Sequence, residues 1–500
     1  MSGIFGVVSK GSCLEILLHG TDYHSHLGTQ YGGVAVLGRE FARQIHDISQ
    51  SQFKSKFFQD YRHMKGNKGI GVISALEEQP IYLNSKFGPF CLATNGIVEN
   101  ADELAARLLK KGMSFSEISR GIVNTTELVA KLISLGADLV DGIEKMFDAI
   151  RGSCSLLLLS RTGIYAARDR FGYTPLVVGK SSQGWAVATE SCAFPNIGFE
   201  VVKQVAPGEI ILLNEDGAVQ QRPGRGKISQ VCAFLWIYTG FPASSYEDIN
   251  VETVRERCGR FLAKRDKDIR VDLVTGIPDS GFAHGLGYAA ESGKPFRRPL
   301  IKYTPGYGRS YTPPSQQTRD LIARMKLIAI KEVIEGNSIV VCEDSIVRGT
   351  QLKNFTIKKL WDCGAKEIHV RPACPPLMFP CRFNLSTRST RELAARNAIR
   401  ALEGHDLADV SEYLDPASAK YRQMVDWIAK DLGVTTLRYQ TVQDMVKAIG
   451  LPREKLCLYC WTGECPKAVR PCPAFKIVET RKRPRKEKAP AEELDQRTLW

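Results

Sequence analysis

Apolar positions change rhythm along the chain. Up to about residue 220 they come in short runs such as GIFGVVS, YGGVAVLG, KGIGVIS, PFCLATNG, CSLLLLS, GIYAARD and GWAVATE. Their β-branched and aromatic content, with Gly or Asn at the ends, predicts strands joined by turns. Two stretches follow a helical period instead. NADELAARLLKKG predicts a helix from about Asn100, with Gly112 as its stop. NTTELVAKLISLG predicts another from about Asn124, where Asn124 and Glu127 have the spacing of a capping box. Strands around helices predict a layered α+β domain.

A Gly- and Arg-rich connector, RPGRG, lies at residues 222–226. From about residue 255 to 450 the rhythm becomes that of buried strands alternating with helices. IRVDLVTGIP, HGLGYAAES, RRPLIKY, SIVVCED, LKNFTIKKLWDCG and KEIHVRPA predict repeated βα units and a parallel sheet. The end of the chain, TRKRPRKEKAPAEELDQ, is charged and poor in apolar residues, which predicts a mobile tail. The boundaries read from these shifts are 1–225, 226–470 and 471–500. The length, 500 residues, suits about three domains or two large ones.

Composition narrows the class. The chain is 43% apolar and 24% charged, which excludes wholesale disorder. Its formal charge is +14, and residues 476–500, with 8 basic and 5 acidic side chains, account for little of it. A basic body favours anionic ligands such as phosphorylated metabolites, nucleic acid or acidic lipid. No apolar run is long enough to span a bilayer, and the start lacks a secretory pattern, so a cytoplasmic location is expected. The 14 Cys are then expected to be free, catalytic or metal-bound. RKRPRKEK, at residues 481–488, lacks aromatic stacking partners, so a solvated tail is favoured over a nucleic-acid site.

The sharpest candidate chemistry is SIVVCEDSIVRGT, residues 338–350. An apolar strand runs into Glu343 and Asp344, then into a small loop, Ser345-Ile346-Val347-Arg348-Gly349-Thr350. Backbone N–H groups of such a loop and of the helix expected from Gln351 can cradle a phosphate. The two acids can hold ribose hydroxyls or hydrated Mg²⁺. Open α/β sheets bind ligands at this end of their strands. Elsewhere, Cys457 and Cys460 form a C-x-x-C that suits a zinc half-site, a redox pair or chance.

Residues 338–350 resemble the phosphoribosyl pyrophosphate (PRPP) loop of type I phosphoribosyltransferases. CEDSIVRGT is similar to the form found in amidophosphoribosyltransferases, which catalyse the first committed step of purine synthesis. GIPDSGFAHGLGYAAESGKPF and LIKYTPGYGRSYTPPSQQTR resemble further segments of that family, as do ARDRFGYTPLVVG and GWAVATESCAF of its glutaminase domain. The resemblance covers the chain to about residue 470. It implies a class II glutamine amidotransferase-like, N-terminal nucleophile domain followed by an α/β type I phosphoribosyltransferase domain. The implied reaction is displacement of pyrophosphate from PRPP by ammonia or another amine, giving 5-phosphoribosylamine or a related N-riboside. The alternative is a catalytically weak paralogue that binds PRPP or purine nucleotides and regulates a partner.

The resemblance also implies site residues. Glu343 and Asp344 would hold the ribose and Mg²⁺, and residues 345–350 the 5′-phosphate. Asp279 and Ser280 would bind substrate, Lys302 would contact pyrophosphate, and Arg309 and Gln316 would sit on a closing loop. Cys232, Cys381, Cys457 and Cys460 would bind a [4Fe–4S] cluster, with Cys374 and Cys465 nearby but not ligands. A homotetramer with purine nucleotide effectors is implied as well. In the first domain Asn95 and Gly96 match the oxyanion hole, but Ser2 stands at the nucleophile where the family has Cys. Gly71-Val72-Ile73-Ser74-Ala75 replaces Gly-His-Val-Arg-Tyr, whose Arg grips the glutamine carboxylate. Thr125 replaces the acid that grips its amino group. The expectation is a retained fold around a glutaminase site that is dead or turned to another use.

Overall fold

The long apolar runs of the first half are buried on both faces. The computed structural model describes residues 2–119, 122–224, 228–303, 327–383, 387 and 389–465. Residues 3–222 build two antiparallel sheets. The seven-stranded sheet has the order Glu200–Gln204, Val177–Ser181, Gly184–Ala188, Gly3–Ser9, Lys68–Ser74, Tyr31–Leu37 and Phe41–Asp47. The six-stranded sheet runs Ala218–Arg222, Ile210–Leu213, Gly163–Ala167, Gly152–Ser160, Gly88–Val98 and Ile81–Ser85.

Strand alternation assigns each apolar residue to a layer. Ile4 and Val8 face the second sheet with Leu157 and Leu159. Phe5 and Val7 face outward, against Leu14, Leu17 and Phe194. On the far side Leu156 and Leu158 pack on Leu104, Leu108, Leu128 and Ile143 of the covering helices. The result is helix, sheet, sheet, helix.

The expected helix near Asn100 is Ala101–Lys110, and the one near Asn124 is Thr125–Ile133. The Asn124 side chain caps the second helix by accepting from Thr126 N and Glu127 N. Glu127 does not close a capping box. Its carboxylate accepts from Ser116 N and Glu117 N and pairs with Lys131. Three helices among the described residues of this half fall outside the two expected from the sequence, Leu14–Asp22, Phe53–Phe57 and Leu139–Ala149. All three are short, and their apolar residues resemble strand runs when read alone.

The second half carries the expected parallel sheet, in the order Leu273–Gly276, Ser338–Glu343, Glu367–Pro372 and Thr436–Leu437. Helices Val251–Lys264, Phe282–Ser292 and Ala419–Leu432 pack with it in one core. The tail from residue 471 and Arg225 and Gly226 of the RPGRG connector lie outside the described residues. No helix among the described residues is long and apolar enough to cross a membrane.

The halves are joined by buried polar bonds. Glu190 is fully buried and accepts from Tyr246 Oη at 2.7 Å, Ser244 Oγ at 2.9 Å and Phe241 N at 3.2 Å, with His26 Nε2 at 3.0 Å. Arg168, also fully buried, pairs with Glu247 at 2.7 Å. Tyr173 stacks on Phe383 with ring centroids 4.1 Å apart.

Burial pushes the Glu190 carboxyl up, but the charge and hydrogen bond of His26, with His24 and Tyr246, outweigh it and hold it down at about 2. Burial holds the His24 imidazole down at about 4. A depressed pKa contributes stability that is full above the ordinary value and is lost as pH falls through the folded one. The thermal midpoint should therefore fall from pH 6.5 toward 4 through His24, and from 4.5 toward 2 through Glu190. Glu190→Gln should cost about 3 kcal/mol at pH 7 and flatten the lower part of the profile. A midpoint unchanged between pH 7 and pH 3 would contradict this.

Candidate active site

The parallel strand Ser338–Glu343 is paired on both sides, by Leu273–Gly276 and Glu367–Pro372. Its side chains from Ile339 to Cys342 are fully buried. Such a strand has little freedom, so the acids at its end are held in place. Glu343 O accepts from Ala373 N at 2.8 Å. Asp344 is 5% exposed, its N–H donates to Glu343 Oε1 at 3.0 Å, and Ser345 Oγ donates to Asp344 Oδ1 at 2.6 Å. Burial, then the adjacent Asp344, push the Glu343 carboxyl well above the usual range. A bound cation or ribose hydroxyls would relieve that crowding of negative charge.

The loop turns at Gly349, whose φ is +76°. Val347 O accepts from Ala394 N at 2.7 Å, and Arg348 pairs with Glu392. The chain becomes helical by Leu352 and stays so through Asp362. The expected strand, acid pair, loop and helix therefore follow in that order.

Three other expected residues meet this end of the sheet. The segment after Leu273–Gly276 brings in Asp279 and Ser280, and Ser280 stands near the Glu343 carboxyl. Lys302, ending the strand Leu300–Lys302, pairs with Asp279. A cleft of about 180 Å³ beside the loop is lined by Pro278, Lys302, Glu343, Gln351 and Thr356 among others. Arg309 and Gln316 lie outside the described residues. Buried Arg255, which the sequence did not single out, stands near Asp344 and donates to Trp236 O, Tyr238 O and Gly240 O.

The four assigned cysteines come together at the junction of the halves. Val231–Cys232 pairs in parallel with Leu456–Cys457, which sets Cys232 beside Cys457. Cys460 O accepts from Met378 N and Phe379 N, and its thiol lies beside that of Cys381. All four are buried. Burial, and Cys381 beside it, push the Cys232 thiol up to about 12. No three His, Cys, Asp or Glu side chains among the described residues surround a common point as metal ligands do. The soft buried donor set suits an iron–sulfur cluster or zinc, but the thiols are placed as neighbours, not as a coordination sphere. Cys465 is disulfide-bonded, which keeps it out of the set.

A second cavity, of about 570 Å³, lies in the first domain. Ser2 N donates to Asn95 Oδ1 at 3.1 Å, and Ser2 and Gly96 line the cavity with Ser74 and Thr125. Gly96 has φ +142°, and a Cβ there would meet Ser153 O at 2.2 Å. The strand thus requires glycine where the oxyanion hole is expected. Glu77, which sequence reasoning missed, accepts from Thr125 N and Thr126 N at 3.0 and 3.2 Å.

A layered sandwich with a nucleophile-type pocket, followed by a parallel sheet bearing an acid pair and small loop, defines an enzyme built from an amidotransferase-type part and a phosphoribosyltransferase-type part. A glutamine amidotransferase domain model matches residues 69–196. The chain is 30% identical over 496 residues to an amidophosphoribosyltransferase of Methanocaldococcus jannaschii, covering 94% of this chain and 98% of that one. It is 30% identical over 485 residues to that of Bacillus subtilis, covering 93% and 94%. A solved glutamine PRPP amidotransferase from B. subtilis, complexed with ADP and GMP, superposes with a TM-score of 0.79 at 29% identity, covering 93% of this chain and 97% of that one. The chain belongs to the amidophosphoribosyltransferase family.

Gly349→Ala tests the loop. A side chain at φ +76°, with Leu432 at 3.2 Å from the new Cβ, should cost about 1–2 kcal/mol. Chemical denaturation of both forms measures it, and equal stability would show that the loop tolerates a side chain there.

Proposed function

We propose that this protein transfers the phosphoribosyl group of PRPP to ammonia or another amine, giving 5-phosphoribosylamine or a related N-riboside. The observation that carries the reading is the convergence of Glu343, Asp344, Ser280, Asp279 and Lys302 at one end of the parallel sheet. Residues 1–225 and 226–470 act as the two domains. The transition state resembles an oxocarbenium ion, so catalysis rests on positioning and on charge. Glu343 and Asp344 hold the ribose hydroxyls and the developing positive charge near C1. The N–H groups and hydroxyls of residues 345–350 seat the 5′-phosphate. Lys302 moves from Asp279 to pyrophosphate, and Arg309 and Gln316, outside the described residues, are assigned to the same substrate. Glu343 and Asp344 would hold Mg²⁺, which neutralises the leaving pyrophosphate when bound.

Cys232, Cys381, Cys457 and Cys460 would hold a [4Fe–4S] cluster with a structural role at the domain junction. Purine nucleotides act as effectors, in line with the ADP and GMP of the B. subtilis structure, and the working form is a homo-oligomer.

Glutamine is a poor nitrogen donor in this reading. Ser2 is a weaker nucleophile than the cysteine it replaces. Ser74 and Thr125, both lining the first-domain cavity, carry no charge for the ends of a free amino acid. Pyrophosphate release from PRPP with Mg²⁺ tests both halves. Ammonium should support turnover, and glutamine should be slower by at least about tenfold, since each lost charged hydrogen bond costs about 1.5–3 kcal/mol. Equal rates with the two donors would overturn the glutaminase claim. No turnover with any amine would overturn the transferase claim.

Anaerobically purified protein should show the broad visible absorbance of an iron–sulfur cluster. Cys457→Ser should remove it. A colourless, iron-free protein would refute the cluster.

A further inference from the structure

The first-domain cavity is completed by the second domain. Its walls come mainly from residues 74–129 and 153–154, but Pro380, Cys381 and Arg382 close one side. Arg382 is the only cationic side chain among the described residues that line it. The loop carrying Arg382 is fixed against the strand that bears Asn95 and Gly96. Ile97 N donates to Phe383 O at 3.1 Å, two residues beyond Asn95. Phe383 is stacked on Tyr173. Arg382 pairs with Glu99 at 3.3 Å, each side chain 19% exposed. Its charge lies near Tyr459. Asp102 and Glu77 stand in the same walls, and Glu77 is engaged by the N–H groups of Thr125 and Thr126.

We propose that Arg382 is the carboxylate anchor of this cavity, delivered from across the domain boundary to do what Ser74 cannot. A guanidinium offers five donors in a fork, so Arg382 can bind a ligand carboxylate while still touching Glu99. The ligand class is a small carboxylate-bearing amide such as glutamine. The site then binds its ligand even though Ser2 reacts poorly. Because the anchor sits between Cys381 and Phe383, occupancy of the cavity bears directly on the domain junction. This rests on the amidotransferase reading of residues 1–225 and is independent of the PRPP cleft.

Calorimetry on the full-length protein tests it, with glutamine and with 4-aminobutanamide, which is glutamine without its carboxylate. Wild type should bind glutamine at least about tenfold more tightly, as expected for a charge-assisted fork. Arg382→Gln should bring the two ligands to within about twofold, and Arg382→Lys should recover only part of the gap, because an ammonium lacks the fork. Glu99→Gln releases Arg382 from its internal carboxylate and should tighten glutamine binding severalfold. That gain is not expected if Arg382 is only structural, and it keeps the test decisive should the Arg382 variants fold badly. Equal affinity for both ligands in wild type, binding of neither, a preference kept in Arg382→Gln, or no gain in Glu99→Gln would each overturn the proposal. PRPP with Mg²⁺, titrated into the same protein, separates this failure from failure of the transferase reading.

Discussion

Two adjacent carboxylates at the end of a strand buried on both faces are costly to bring together, and the fold around residues 338–350 is organised by that cost. Glu343 and Asp344 share a cramped, partly desolvated corner, where the Glu343 carboxyl is pushed well above its ordinary range by burial and by its neighbour. The chain relieves the corner with what lies close: the N–H of Asp344 and the hydroxyl of Ser345. A sugar's hydroxyls or a divalent cation would do so more completely. The neighbouring parallel strand Leu273–Gly276 leads into the segment that carries Asp279 and Ser280, and Lys302 is paired with Asp279.

The domain junction follows a similar rule. Glu190 and Arg168 are charged, fully buried, and tied to partners in the other half. Buried charges of this kind are tolerated only when well paired, so they fix how the halves meet more than they add net stability. Phe383 and Arg382 extend that junction to the rim of the first-domain cavity. The cysteine pairs Cys232 with Cys457, and Cys381 with Cys460, sit in the same region. Three features that look separate along the chain therefore share one location.

Much of this was legible in the residues themselves. GIFGVVS and KGIGVIS became strands Gly3–Ser9 and Lys68–Ser74 because runs apolar at every position suit a sheet with both faces covered. Asn124 capped its helix as its chemistry requires, whereas Glu127 was drawn away by Ser116 and Glu117, a tertiary competition that local spacing does not contain. The helix Leu14–Asp22 was missed because its pattern is short and its amphipathic face becomes clear only against Phe5 and Phe194. The acid pair and its loop were legible because strand, charge and small residues are contiguous. Arg382 and Glu77 were not, since their importance arises from distant segments closing on one cavity.

The most direct measurement of the central claim is titration calorimetry of PRPP with Mg²⁺ into the wild-type protein and into a form with both Glu343→Ala and Asp344→Ala. The account predicts saturable binding by the wild type and a loss of at least about tenfold in affinity in the double variant, as removal of charged hydrogen-bonding groups entails. No binding heat from the wild type, or unchanged affinity in the variant, would contradict it.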